Sequence, residues 1–85
     1  MDWADVLTVK PEGNLTLSVR FVDGLSGSVR FEPSRLRGVF EILKDPEFFK
    51  KAYVENGYVT WPGELDLAPD AMYREIKTHG EWVLR

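Results

Sequence analysis

Two segments of alternating apolar and polar residues, separated by an Asp-Gly pair, constrain the fold of this chain more than any other feature. The apolar positions are Leu15, Leu17, Val19 and Phe21, followed by Leu25, Val29 and Phe31 with Gly27 between them. A period of two is typical of a β-strand that buries one face and exposes the other to water. The pattern therefore predicts an antiparallel hairpin.

The length of the connecting loop follows from the two apolar faces. A two-residue loop, Asp23-Gly24, would set the apolar positions of one strand opposite the polar positions of the other. A three-residue loop, 22–24, instead pairs Leu17 with Val29 and keeps both apolar faces on one side. We therefore predict the three-residue loop, with Gly24 in the left-handed conformation at a bulge.

The rest of the chain predicts one strand before this hairpin, and helical segments and a second hairpin after it. The run DVLTV favours a first strand, which makes a three-stranded antiparallel meander. Apolar residues then recur at the spacing of one helix face: Leu36, Val39, Phe40 and Leu43. Asp45-Pro46 ends this turn and begins another, which predicts a short broken helix. Asn56-Gly57 marks the tip of the second hairpin, and Pro69 begins a C-terminal helix. The predicted class is α+β, with this helix packed on the sheet.

Size and composition exclude several classes of protein. Eighty-five residues, 44% apolar and 29% charged, suit a single folded domain over residues 1–85. Because cysteine is absent, the chain has no disulfide, thiolate zinc site or thiol nucleophile. The net charge is −3 and basic pairs occur only at 35/37 and 50/51, so direct binding to nucleic acid is not expected. The N-terminus lacks the pattern of a secretion signal and no long apolar run is present, so we expect a cytoplasmic protein without a membrane span.

The segment VTWPGELDLAPDAMY, residues 59–73, is the most crowded with chemically distinctive side chains. Its carboxylates, Glu64, Asp66 and Asp70, lack the spacing of a calcium loop or another metal site. With Pro69 at the first helical position, Asp70 falls in the first turn, where negative charge favours the helix dipole. Asp66 is placed to accept hydrogen bonds from the preceding turn. We therefore expect no catalytic, metal or cofactor site in this segment. Five of its residues are interpreted as a structural signature: Trp61, Pro62, Asp66, Pro69 and Asp70.

His79 is the only histidine and precedes Gly80 at the predicted end of the last helix. A cation there favours the C-terminal end of the helix dipole. No nucleophile elbow or comparable spacing connects His79 to a serine and a carboxylate. We therefore expect His79 to cap the helix and predict no catalytic triad.

Aromatic residues outside the predicted core are the candidates for contact with a partner. Trp3 and Trp82 lie near the two termini, and Tyr73 lies on the last helix. Residues 80–85 are unusually apolar for a tail, so they either dock on the domain or form an interface with another chain. We therefore take Tyr73, Trp82 and Trp3 as candidate partner-binding residues.

A set of motifs in the chain also resembles a known family. The residues are Val22-Asp23-Gly24, Gly38-Val39-Phe40, Leu43, Asp45-Pro46, Phe48, Trp61-Pro62, Asp66-Leu67, Pro69-Asp70 and Tyr73. Over roughly residues 4–75 they resemble the small bacterial family catalogued as domain of unknown function 2442. The resemblance implies an α+β fold and no established activity, so no catalytic residues carry over. Members occur as single chains or fused to a helix-turn-helix, often encoded beside a small toxin-like protein, which implies an antitoxin-like or regulatory role.

Three hypotheses about function follow. The first is a non-enzymatic interaction or regulatory module, antitoxin-like, whose partner is the product of an adjacent gene or a second copy of the chain. The second is a small enzyme or ligand-binding domain that uses Asp66, Asp70 and Tyr73, which requires a pocket around them and a strongly shifted pKa. The third is an accessory to a DNA-binding regulator, acting through a partner because the chain shows no recognition helix.

Overall fold

The computed structural model describes residues 4–63 and 65–84, which form two small sheets, two 3₁₀ helices and two α-helices. The strands are β1 (Val6–Glu12), β2 (Thr16–Phe21), β3 (Ser26–Phe31), β4 (Tyr53–Glu55), β5 (Tyr58–Trp61), β6 (Leu65–Asp66) and β7 (Glu81–Leu84). The 3₁₀ helices are η1 (Pro33–Arg35) and η2 (Gly38–Lys44), and the α-helices are α1 (Pro46–Phe49) and α2 (Pro69–His79). The predicted α+β class is confirmed.

The first sheet contains the predicted meander and has the strand order β1-β2-β3-β7. Leu17 lies opposite Val29, as the three-residue loop requires. The N–H of Phe21 donates to the carbonyl of Leu25 at 2.7 Å, and Gly24 has φ 96°. Both predictions for this turn are therefore confirmed, because only this register puts the two apolar faces on the same side of the sheet.

Strand β7 completes the first sheet by pairing in parallel with β3. Gly80, with φ 82°, ends α2 in the left-handed conformation and turns the chain toward the sheet. Trp82 then lies beside Val29 and Leu84 beside Phe31, and both β7 side chains pack against the core. Residues 81–84 of the apolar tail therefore pair with β3 of their own domain, which is the docked alternative of the two that the sequence left open.

The second sheet is built on the second hairpin and has the order β4-β5-β6. Asn56 and Gly57 have φ 50° and 84°, the paired positive angles of a type I′ turn, so the Asn-Gly prediction is confirmed. Strand β6, in a segment expected to be only a turn, pairs with β5 through Thr60 and Asp66. The N–H of Val6 donates to the carbonyl of Gly57 at 2.7 Å, which joins the two sheets.

The segment predicted as the first part of a broken helix is instead the 3₁₀ helix η2. A 3₁₀ helix has three residues per turn, so side chains three apart share a face. Phe40 and Leu43 therefore face the core, whereas Val39 and Ile42 face outward with 71% and 47% of their surfaces exposed. The expectation that Val39 shares the buried face was wrong because it assumed a period of 3.6.

Helices α1 and α2 begin as predicted, and α2 covers the core face of the sheet. Pro46 is the first residue of α1, and the carboxylate of Asp45 accepts from the N–H of Glu47 at 3.0 Å. Pro69 begins α2, with Asp70 in its first turn. The buried residues include Phe49 of α1 and Met72 and Ile76 of α2, together with Phe31 and Trp61 of the sheets. Burial of each such side chain contributes about 1.5–3 kcal/mol, which makes this cluster the main source of stability.

Candidate functional site

Two residues of the predicted structural signature, Trp61 and Asp66, connect β5 to α1 and to β6. Trp61 is fully buried, and its Nε1–H donates to the carbonyl of Phe49 at 3.0 Å. Asp66 accepts a hydrogen bond from the hydroxyl of Thr60, which is itself buried. Pro62 is exposed at the end of β5, and Glu64 lies outside the described residues. The contacts of Trp61 and Asp66 are therefore structural, because each connects β5 to a neighbouring element.

Tyr73 lies in the core with only 7% of its surface exposed. Its ring packs edge-on against Phe21, with centroids 5.0 Å apart, and its hydroxyl donates to the carboxylate of Asp23. The other oxygen of Asp23 accepts from the N–H of Leu25 at 2.9 Å. Tyr73, which the sequence suggested as an exposed partner-binding residue, is therefore buried and connects α2 to the β2–β3 turn.

Hydrogen bonding sets the charge states of this pair in opposite directions. The bond from Tyr73, followed by that from the Leu25 N–H, lowers the pKa of Asp23 below its ordinary value. The same bond to the carboxylate raises the pKa of Tyr73, and partial desolvation raises it further. A general acid or base works best with a pKa near the operating pH, whereas these shifts move both groups further from neutrality. The pair therefore suits a fixed structural contact more than proton transfer.

The three residues of the enzyme hypothesis make separate contacts. Asp66 is bound by Thr60, Tyr73 by Asp23, and Asp70 lies in the first turn of α2. The pKa of Tyr73 is raised by its hydrogen bond to Asp23, as described above.

Within residues 4–63 and 65–84, no cluster of three or more His, Asp and Glu is placed to hold a metal ion. Over the same residues, no helix combines the length and apolar character that crossing a membrane requires.

A groove of about 670 Å³ runs along β7 and contains the candidate residue Trp82. Its lining residues are Arg35, Glu75, His79, Glu81, Trp82, Val83 and Leu84. His79 lies at the end of α2, as predicted, with its Nε2 4.0 Å from Oε1 of Glu75 on the preceding turn. Tyr73 is not among the lining residues, so the groove does not bring Tyr73 and Trp82 together. The third aromatic candidate, Trp3, lies outside the described part of the chain.

A second surface of interest is the η2 patch, which we define as Val39, Phe40 and Ile42. Val39 and Ile42 are exposed side by side, and the partly buried Phe40 lines an adjoining groove of about 510 Å³. Ser34, Arg35 and Arg37 form the remaining walls of that groove. The spacing of three between Val39 and Ile42 is the sequence signal for this patch, and it is visible only if a 3₁₀ period is considered.

Together the two sheets, the terminal helix α2 and these two surfaces define a small α+β domain. The chain belongs to the family described as protein of unknown function, DUF2442, whose family model matches residues 6–78. The family resemblance predicted from the sequence is therefore confirmed. No curated protein and no solved structure matches the chain. Strand β7 lies beyond the residues matched by the family model.

Proposed function

We propose that this chain is a non-enzymatic protein-interaction module whose partner binds at the η2 patch. The observation that carries the proposal is the exposure of Val39 and Ile42 on one face of η2. Contiguous apolar side chains with a polar rim are typical of protein-protein contact sites. Burying both against a partner removes apolar surface from water, which drives association.

The surroundings of the η2 patch indicate the chemistry of the partner. Arg35 and Arg37 are exposed beside it and line the groove next to Phe40. Arginine at the rim of an apolar centre favours a partner with carboxylates around an apolar side chain, because opposite charges steer the two surfaces together. An aromatic or aliphatic side chain of the partner would enter the groove and act as the main anchor.

In its more specific form, the proposal assigns this chain an antitoxin-like role in the cytoplasm. Support for this form comes from the family resemblance, since members are often encoded beside a small toxin-like protein. The first partner to test is therefore the product of the adjacent gene. Binding at the η2 patch would neutralise or regulate that protein without any chemical step on this chain.

Copurification of the two proteins tests the proposal. We would coexpress tagged wild-type chain with the neighbouring product, and compare it with the double variant Val39→Asp/Ile42→Asp. The control is Leu7→Asp, which makes the same change at another exposed apolar residue, 53% exposed on β1. Each aspartate would have to lose its hydration in an apolar contact without a partner for its charge, which is costly, so the double variant should bind at least about tenfold more weakly.

The expected result is capture by the wild type and by Leu7→Asp, and loss of capture with the double variant. Circular dichroism of each variant checks that the fold is intact. Equal capture by the double variant would contradict the η2 patch as the binding surface. Absence of copurification with the wild type, together with no relief of the neighbour's toxicity, would contradict the antitoxin-like role.

A further inference from the structure

We propose that β7 is a self-association edge, at which a second copy of this chain adds its own β7 antiparallel about a two-fold axis through Val83. The two four-stranded sheets would then form one continuous sheet across the axis. This inference rests on the edge of the first sheet and not on the η2 patch, so either proposal can fail while the other stands.

The backbone of β7 offers hydrogen-bonding groups on its outer side. The carbonyl of Leu84 accepts from the N–H of Glu32 at 2.9 Å, so the backbone groups of Leu84 face β3. Backbone groups of successive residues in a strand point to opposite sides, so the N–H and C=O of Val83 point away from β3. Among the residues that the structure describes, no strand pairs with this outer side of β7.

The other edge of the same sheet carries features that discourage strand addition. Strand β1 contains Lys10 and Pro11, and its register shifts at a bulge between Val6 and Thr8. Lysine, proline and bulges are the usual means by which proteins protect an open edge. The four residues of β7 include no lysine or proline, and its pairing with β3 is regular. The two edges therefore differ in the way expected if only β7 accepts another strand.

The side chains of β7 are self-complementary about Val83. An antiparallel register centred on this residue sets Val83 opposite its own copy on the outer face of the sheet. On the core face it sets Trp82 opposite Leu84 of the second copy, and Leu84 opposite the second Trp82. Both residues are only partly buried, so these aromatic-aliphatic pairs would remove exposed apolar surface. A register centred on Trp82 would instead place the charged Glu81 opposite Val83, which matches the chemistry less well.

The groove beside β7 leaves room for the added strand. Its volume of about 670 Å³ lies next to the core-face side chains Trp82 and Leu84, with Arg35, Glu75 and His79 among its walls. In the proposed pairing the second copy's Trp82 and Leu84 would occupy this space. The two-fold axis is perpendicular to the sheet, so the core faces and the α2 helices of both copies lie on one side.

Analytical ultracentrifugation of the purified chain, at concentrations from about 10 µM to 1 mM, tests the pairing. The wild type should show a monomer-dimer equilibrium. Val83→Pro removes one outward N–H from each copy, two hydrogen bonds in all, and should raise the dissociation constant roughly ten- to thirtyfold. Because proline is tolerated where a strand's N–H faces solvent, the monomer should remain folded. Leu84→Pro is the matched control, since it removes an N–H that faces β3 and should destabilise the monomer.

Charge variants at the axis test the register. Val83→Lys sets two ammonium groups opposite each other and should weaken the dimer, as should Val83→Glu, while an equal mixture of the two should dimerise. Urea unfolding of each variant checks that the monomer remains folded, since position 83 lies beside Arg30 on β3. Stronger association of Val83→Lys would mean that Glu81 faces position 83, and would overturn the proposed register. A wild type that stays monomeric at 1 mM, or a dimer unaffected by Val83→Pro, would overturn the proposal itself.

Discussion

The substitution Gly27→Ala should destabilise the fold because β3 passes unusually close to the end of α2 at this residue. A Cβ atom at position 27 would lie 2.6 Å from Cγ2 of Ile76 and 2.7 Å from the carbonyl oxygen of Gly80. Gly27 does not have a positive φ, so an alanine would fit the backbone angles. The cost of alanine in the folded state would therefore come from crowding and not from backbone strain.

The size of the effect follows from these distances. Nonbonded carbon atoms prefer about 3.5–4.0 Å, so the new methyl group would be about 1 Å too close to the side chain of Ile76. Ile76 is buried, and the Gly80 carbonyl belongs to the left-handed turn between α2 and β7, so neither can move without shifting packed structure. Overpacking of this kind costs about 1–3 kcal/mol, partly offset by about 0.4–1 kcal/mol because alanine restricts the unfolded chain. The net loss should be roughly 1–2 kcal/mol.

Urea unfolding followed by tryptophan fluorescence measures this loss, since the buried Trp61 reports on the core. Gly27→Ala should lower the midpoint without changing the slope. Gly13→Ala is the control, because nothing lies within 4 Å of its added Cβ and its φ is not positive, so its stability should equal or slightly exceed that of the wild type. In the Ile76→Ala background, Gly27→Ala should cost less but still some stability, since the Gly80 contact remains. A Gly27→Ala variant as stable as Gly13→Ala would refute the close approach of β3 to α2.

Two further predictions concern side-chain hydrogen bonds. Tyr73→Phe removes the hydrogen bond to Asp23. Because the pKa of Asp23 is lowered, the stability that its carboxylate contributes is present above the ordinary carboxyl pKa and is lost as the pH falls through the lowered value. Because the pKa of Tyr73 is raised, the stability that its hydroxyl contributes is present below the ordinary phenol pKa and is lost as the pH rises through the raised value. Urea unfolding at stepped pH should therefore show the wild type more stable than Tyr73→Phe between about pH 4 and 10, with the difference shrinking on both sides, and a pH-independent difference would contradict the pair. Trp61→Phe removes the indole hydrogen bond to the Phe49 carbonyl, which keeps the longer 3.4 Å bond from the N–H of Ala52. Calorimetry should show a loss of about 1–3 kcal/mol in the free energy of unfolding. An unchanged melting temperature would contradict a stabilising role for this hydrogen bond.

Local sequence signals were sufficient to predict the structure where it is determined by contacts between residues close in the chain. The loop at Gly24 followed from the need to keep Leu17 and Val29 on one face, and the structure has that register. Asn56-Gly57 specified its turn because both residues tolerate positive φ. In each case the deciding contacts lie within about a dozen residues, where pattern and turn chemistry act directly.

The candidate surfaces were less predictable. Val39 and Ile42 are exposed because η2 has the 3₁₀ period, and the apolar spacing alone favoured an α-helix. The contact between Tyr73 and Asp23 joins residues 50 positions apart, so neither residue identifies its partner locally. As a result Asp23 was interpreted only as a turn residue, and Tyr73 as an exposed one.

The sequence by itself determined the α+β class, the meander, both hairpins and the start of α2, because alternation, turn dipeptides and helix-start residues act over short distances. Only the tertiary structure decided that residues 81–84 join β3 as a parallel strand, since such a pairing depends on the whole crossover that brings the chain back. It also decided why position 27 is a glycine: β3, α2 and the Gly80 turn meet there, and no space is left for a side chain.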